Sequence, residues 1–328
     1  PIARHLLNMD PPEHASYRKL TSQTFTPRAI RRMQGEIERI TTERLDTIAG
    51  DAQELDFVEK ISGPIPLAVL ADLLGAPRED WELLFRWTNQ TVGSADPEYQ
   101  GDAGSGREAA DTARMELFRY FHELAEARRK DPKDDIVSLV ANATLDGAPV
   151  PPFETLSYFF LLVIAGNETT RNAMSGGLLA LIENPDQLAK LKADPSLVDG
   201  AVEEIVRWTT PVIQFCRTAA VDFELRGQPI RAGESMCLFY PSANRDEEVF
   251  EDPFAFRVDR HPNPHIAFGI GEHFCLGANL ARLELRVLFR QLTARLEEAE
   301  LTGPAERLRS SFLGGVKHLP VRLRLRRD

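Results

Sequence analysis

Apolar positions fall at helical spacing over most of the first two thirds of the chain. From Pro27 to Ile48 the sequence carries Ile30, Met33, Ile37, Ile40 and Leu45 among charges, which predicts one amphipathic helix. Leu67 to Leu74 reads as a second helix stopped by Gly75, and Asp80 to Val92 as a third. The stretch from Gly93 to Gly106, rich in Gly, Asp, Ser and Pro, reads as a loop. A polar helix follows from Glu108 to Lys130, and Asp134 and Asp135 start a helix running to Leu145, before a turn at Asp146-Gly147.

The strongest element starts near Phe153 and meets no breaker before Glu183. At about 1.5 Å per residue it is roughly 45 Å long, enough to cross a domain. Phe159 to Ile164 is apolar all round, which predicts burial. The run Ala165-Gly-Asn-Glu-Thr-Thr170 then places small and polar residues in the same buried helix. The remainder is mixed. Leu197 to Trp208 is helical, Phe223 to Ser235 a turn-rich hairpin, and Met236 to Tyr240 a strand. Phe250 to Ala267, with Pro253, Pro262 and Pro264, is irregular. Asn279 to Leu296 is helical, and Leu313 to Leu325 suggests short strands. No linker divides the chain, which predicts one large, mainly helical domain over residues 1–328.

Composition narrows the function. Apolar residues make up 43% of the 328, enough for a large core. With Lys+Arg 39 against Asp+Glu 50, the formal charge of −11 argues against general nucleic-acid binding. Three cysteines, Cys216, Cys237 and Cys275, are too few for a disulfide scaffold and predict a reducing, cytoplasmic setting. No apolar run reaches the roughly 18 residues of a membrane span.

The candidate chemistry centres on Phe268-Gly-Ile-Gly-Glu-His-Phe-Cys-Leu-Gly277. Gly269, Gly271 and Gly277 surround one thiol, and a helix starts just beyond it. Glycines can turn amide N–H groups toward the sulfur, and a helix N-terminus adds partial positive charge, so both favour a thiolate. Three other readings stay open on these residues alone. One is an inert buried cysteine. Another is zinc held by His261, His265, His273 and Cys275. The third is a nucleophilic thiol with a histidine base.

This decapeptide resembles the cysteine-ligand signature of the cytochrome P450 superfamily of haem-thiolate monooxygenases. Phe268, Gly271, Cys275 and Gly277 fall on its fixed positions, and His273 on a position that bacterial members keep basic for a haem propionate. Three further stretches resemble the family. Glu204-Ile-Val-Arg207, a pair on one helix face, is similar to its Glu-x-x-Arg motif, with Arg260 as the third, structural member. Ala165-Gly166-x-Glu168-Thr169 is similar to its oxygen-activation motif, leaving Thr170, Arg171 and Asn172 to finish that face. His14-x-x-x-Arg18 and Arg217 resemble its propionate ligands. Asn244-Arg245-Asp246 also fits and is read as structural, whereas Cys216 and Cys237 have no matching role and read as small buried residues.

The resemblance implies a mainly α fold with small β-sheets, a helix-rich triangular prism around a buried haem. It implies haem b (iron protoporphyrin IX), with Cys275 as metal ligand and His14, Arg18, Ala165, Gly166, Arg217, Phe268, Gly269, His273 and Gly277 also on the cofactor. Thr169 would hydrogen-bond oxygen and Glu168 relay protons. Leu161, Ile164, Val212, Ile213, Phe215, Phe312 and Leu313 would line a pocket for a steroid, sterol side chain or terpenoid. Val212, Ile213 and Phe215 are expected on a loop. Electrons would come from a ferredoxin and its NAD(P)H-dependent reductase, docked near Lys19, Arg28, Arg31, Arg32 and Arg282. The alternative is a haem-binding sensor or carrier without oxygenase activity. The resemblance starts near His14, which predicts that the natural protein carries a further N-terminal segment.

Overall fold

The computed structural model describes residues 4–93, 95–100 and 106–327. Its frame is helical. In the N-terminal half lie α1 (Glu13–Ser22), α2 (Pro27–Arg32), α3 (Gln34–Asp46), α4 (Pro64–Leu74), α5 (Trp81–Val92), α6 (Gly106–Lys130) and α7 (Ile136–Ala141). After them come α8 (Pro152–Glu183), α9 (Pro185–Ala193), α10 (Val198–Thr209), α11 (Tyr240–Ala243) and α12 (Ala278–Arg295). The strands are short. β1 (Gln53–Asp56) pairs antiparallel with β11 (Pro320–Leu325), which also pairs with β8 (Leu296–Leu301). The hairpins β2 (Thr144–Leu145) with β3 (Ala148–Pro149) and β5 (Phe223–Leu225) with β6 (Gln228–Ile230) are local. Two longer connections pair β4 (Gln214–Thr218) with β7 (Ser235–Phe239), and β9 (Glu306–Arg307) with β10 (Val316–His318).

Helix α8 organises the core, packing against α4, α5, α6, α10 and α12. Its apolar stretch is buried from Tyr158 to Val163. Glycines mark the closest crossings. A methyl group on Gly166 would meet Leu70 of α4 at 3.3 Å, and one on Gly177 would meet Phe289 of α12 at 2.6 Å and Ile205 of α10 at 2.8 Å. Packing of this closeness leaves no room for a side chain at Gly177, and at Gly166 Leu70 would have to give way by a few tenths of an ångström.

Two predicted helices end differently. The expected single helix from Pro27 to Ile48 is two, separated at Met33. Thr26 caps the first by accepting from Ala29 N, and the break lets Ile30 and Ile37 both reach the core. The helix expected to run to Leu145 stops at Ala141. Asp146 and Gly147 both take positive φ, 51° and 81°, so the two-residue hairpin turn wins over continued helix. Helix α9 and strands β1, β4 and β8 are not among the elements the pattern of apolar positions predicts. Of the predicted loop from Gly93 to Gly106, residues 94 and 101–105 lie outside the described residues. Among the described residues no helix is long and apolar enough to cross a membrane.

Candidate functional site

The loop bearing Cys275 is built on two turns that need glycine. Gly269 and Gly271 sit at φ 72° and 71°, where a Cβ is disfavoured. These turns fold the chain back so that Cys275 N donates to Phe268 O at 2.8 Å and Phe274 N donates to Gly271 O at 3.0 Å. Gly277 then opens α12. Burial pushes the Cys275 thiol up from its ordinary value, while the backbone of Gly277 and the charges of Arg18 and Arg282 pull it down.

Helix α10 anchors this loop through adjacent carboxylates. Glu203 accepts from Arg282 Nε and Nη2 at 2.7 and 2.8 Å, and lies 3.1 Å from His265 Nε2. Arg282 in turn lies 4.4 Å over the ring of Phe268. Glu204 faces the other way and is fully buried with Arg207. Arg207 donates to both of its oxygens at 2.7 Å, and Arg260 Nε reaches the same two at 3.1 and 3.2 Å. The two guanidinium groups also donate to the carbonyls of Asn244, Glu251, Asp252, Pro253 and Ala255. Asn244 Oδ1 takes the N–H of Ile266 at 2.8 Å. The two guanidinium groups share one carboxylate and give their other donors to backbone carbonyls, so each of the three buried ions has hydrogen-bond partners.

His14, Arg18, Arg217 and His273 gather at one edge of the Cys275 loop. The rings of His14 and His273 lie 4.3 Å apart. Burial lowers the pKa of His273, and His14, Arg217 and Arg18 lower it further. His14 is lowered by burial and by Arg18 in the same way. Arg18 Nη2 donates to Phe274 O at 2.7 Å, and exposed Arg217 donates to Cys216 O at 2.9 Å. Among the described residues, none hydrogen-bonds the buried Nε2 of His14. A cluster of cationic and imidazole donors with unused capacity suits the carboxylates of an iron porphyrin. A single thiol that a metal would deprotonate suits its iron. The residues present therefore fit haem.

On α8, Thr169 Oγ1 donates to Ala165 O at 2.9 Å. Ala165 is exposed and Thr169 half-buried. The missing side chain of Gly166 faces Leu70 of α4, so the glycine lets these two helices come close. Glu168 is fully buried. One of its oxygens pairs with Arg171 and accepts from Asn172 Nδ2 at 3.3 Å, while the other has no partner. Arg171 also donates to Asn89 at 2.8 Å. Arg171 and Asn172 therefore hold Glu168; they do more than finish a helix face. The i,i+3 spacing of Glu168 and Arg171 was the signal for this pair.

The expected pocket residues come from three places. Leu161 and Ile164 lie on α8. Phe215 is on strand β4, not on the expected loop. Val212 bridges to Leu313, Ile213 N donates to Phe312 O at 2.8 Å, and the Phe215 and Phe312 rings lie 5.3 Å apart. The tail turn reaches α8 at Gly315, which packs on Asn172.

Other sequence readings change. Cys216 and Cys237 are exposed, not buried, because both lie on the β4–β7 ribbon. The proposed zinc ligands are dispersed: His265 is engaged by Glu203 and His273 by His14. Among the described residues no three His, Cys, Asp or Glu side chains converge as a metal site. Arg282, expected in an open basic patch, is committed to Glu203 and Phe268, whereas Lys19, Arg28, Arg31 and Arg32 are exposed.

Comparison with known proteins agrees with this geometry. The family model described as Cytochrome P450 matches residues 99–298. Steroid C26-monooxygenase of Mycobacterium tuberculosis is 42% identical over 320 residues, covering 96% of this chain and 71% of that protein. Cytochrome P450-terp of Pseudomonas sp is 40% identical over 323 residues, covering 97% and 76%. The structure of Mycobacterium marinum CYP268A2 in complex with pseudoionone matches with a TM-score of 0.91 at 39% identity, covering 96% of this chain and 76% of its own. The fold, the cysteine loop with its carboxylate anchors and these likenesses together establish that the chain belongs to the cytochrome P450 superfamily and is a haem-dependent monooxygenase.

Proposed function

We propose that residues 1–328 act as one P450 domain that oxygenates a lipophilic small molecule such as a steroid, a sterol side chain or a terpenoid. The observation that carries the haem assignment is the buried, unpartnered Nε2 of His14 against His273, beside the Cys275 loop. In this reading Cys275 would hold the haem iron through its thiolate. His14, Arg18, Arg217 and His273 take the propionates, with Phe268, Gly269 and Gly277 shaping the loop around the sulfur. When bound, the haem supplies the oxygen activation that no side chain can.

The protein's own part is to orient substrate, exclude water and deliver protons. Thr169 carries a hydroxyl on the Ala165 face of α8 and can pass a proton there. Glu168 is the nearest acid in sequence, and its unpartnered oxygen is the one free to exchange protons. Leu161, Ile164, Val212, Ile213, Phe215, Phe312 and Leu313 are all apolar, which supports a lipophilic substrate. The steroid named in one relative and the pseudoionone bound to another are of that class. The electron source is a ferredoxin with its NAD(P)H-dependent reductase, approaching exposed Lys19, Arg28, Arg31 and Arg32. A sensor or carrier without oxygenase activity has no support beside the named monooxygenase relatives.

The test is the spectrum of the full-length protein after dithionite and CO. The Soret band should move to the thiolate–CO position in the wild type and not in Cys275→Ala. A Cys275→Ala protein with the wild-type spectrum would overturn the ligand. Low-to-high spin titration with steroids and terpenoids tests the substrate class, and a response confined to charged, polar ligands would reject it.

A further inference from the structure

Cys216 and Cys237 face each other across β4 and β7 as Cα partners. Both are exposed and both are free thiols. The ladder around them fixes the kind of pair they form. Tyr240 N donates to Ile213 O, and Ala219 N donates to Glu234 O, each at 2.9 Å. Hydrogen-bonded and non-hydrogen-bonded pairs alternate along an antiparallel ladder. Counting three residues inward from either end makes Cys216 and Cys237 a non-hydrogen-bonded pair, the kind whose side chains come closest. Such pairs hold their Cα atoms about 4.5 Å apart, within the range of roughly 4.4–6.8 Å that a disulfide spans.

The side chains lie on one face of the ribbon. Gln214 Oε1 is 3.1 Å from Cys237 Sγ and 3.6 Å from Cys216 Sγ, so one amide oxygen accepts from both thiols. Desolvation, and then the hydrogen bond and charge of Cys216, push the Cys237 thiol up from its ordinary value. Alternation along β4 turns Phe215 and Arg217 to the opposite face. These are the residues assigned above to substrate and propionate.

We propose that Cys216 and Cys237 form a redox modification site, a dithiol that a hydroperoxide converts reversibly into a cross-strand disulfide. One thiol gives up its proton and attacks the peroxide O–O bond, and that proton goes to the departing oxygen, giving a sulfenic acid and releasing water or the alcohol. The second thiolate displaces the hydroxyl as water, forming the S–S bond. The two sulfurs are oxidised by two electrons in all, and the peroxide is reduced by the same two. A dithiol reductant reverses the step by exchange. The disulfide staples β4 to β7 and so fixes the strand behind Phe215 and Arg217. Nothing in this depends on the ligand assigned to Cys275.

The full-length holoenzyme would be treated with hydrogen peroxide, the remaining thiols alkylated, and tryptic peptides mapped by mass. The expected result is a linked pair of peptides containing Cys216 and Cys237, lighter by two hydrogens than their sum. Dithiothreitol should release it, and Cys216→Ser or Cys237→Ser should each abolish it. Thermal unfolding supplies an independent readout: oxidation should raise the midpoint of the wild type reversibly and leave both serine variants unmoved. Both cysteines recovered as free thiols, or either one linked to a different cysteine or carried irreversibly to sulfinic acid, would overturn the proposal.

Discussion

Arg260 lies 56 residues from Glu204 in sequence, yet its Nε sits 3.1 and 3.2 Å from the two oxygens of that carboxylate. Glu204 is wholly buried and also takes Arg207, Asn263 Nδ2 and the N–H of Arg257. The acid on α10 thus holds the irregular segment that precedes the Cys275 loop. Arg260→Leu would leave carbonyls of Glu251, Asp252 and Ala255 without this donor and remove one of the two guanidinium partners of Glu204. Breaking a buried pair costs about 3–5 kcal/mol. Urea denaturation of the purified holoprotein should show that loss, together with weaker haem retention. A loss below about 1 kcal/mol, the value of an exposed ion pair, would mean that the network does not support the loop.

The chemistry of the site was legible because it sits in short segments. The spacing of Gly269, Gly271, Cys275 and Gly277, and of Glu204 with Arg207, is visible within single turns of chain. What was not legible depends on partners far away. Strand β1 exists because Leu55 meets Val321, and β4 because Phe215 meets Leu238. The facing of Gly166 is decided by Leu70 on another helix, and the exposure of Cys216 and Cys237 by a ribbon whose register no local pattern gives. Arg282 looked like a solvated charge until Glu203 and Phe268 were placed beside it.

Glu203 gives a pH dependence with a defined sign. Burial alone would raise its pKa, but hydrogen bonds from Arg282 and His265 outweigh burial and take it from 4.5 to about 2. A carboxyl depressed in the folded state stabilises fully above its unfolded value, and that contribution disappears as pH falls through the folded one. The Arg282 and His265 clamp should therefore weaken between pH 4.5 and about 2. Urea midpoints measured across this window should fall more steeply in the wild type than in Glu203→Gln. Equal slopes would show that the pair contributes nothing to acid stability.

Gly315 supports the tail turn against α8. A methyl group there would lie 2.1 Å from Cγ and Oδ1 of buried Asn172. Gly315→Ala must displace either the turn or the Asn172 amide that reaches Glu168. Overpacking of this kind costs about 1–3 kcal/mol. The same turn offers Phe312 O to Ile213 N and Gly314 N to Pro211 O, so displacement of the turn reaches the proposed substrate wall. Spin-state titration should give weaker substrate binding while the reduced CO spectrum stays that of the wild type. Unchanged affinity would mean that the turn stays in place or that Phe312 and Leu313 lie outside the pocket.

Thr169 and Glu168 are neighbours with different surroundings, and their variants should fail differently. Among the described residues the Thr169 hydroxyl hydrogen-bonds within its own helix, to Ala165 O, so Thr169→Ala breaks no long-range hydrogen bond there. Fold, haem content and substrate affinity should persist, while product formed per NAD(P)H consumed falls and peroxide rises. Glu168→Gln keeps a side-chain oxygen for Arg171 and Asn172 but loses the exchangeable acid. If that acid feeds protons inward, turnover should fall by on the order of 10²-fold, the lower end for general acid–base groups, with coupling largely kept. A solvent isotope effect larger in Glu168→Gln than in the wild type would accompany slowed proton delivery. Loss of coupling in Glu168→Gln and retention of it in Thr169→Ala would reverse the two roles, and unchanged turnover in both would remove them from the reaction.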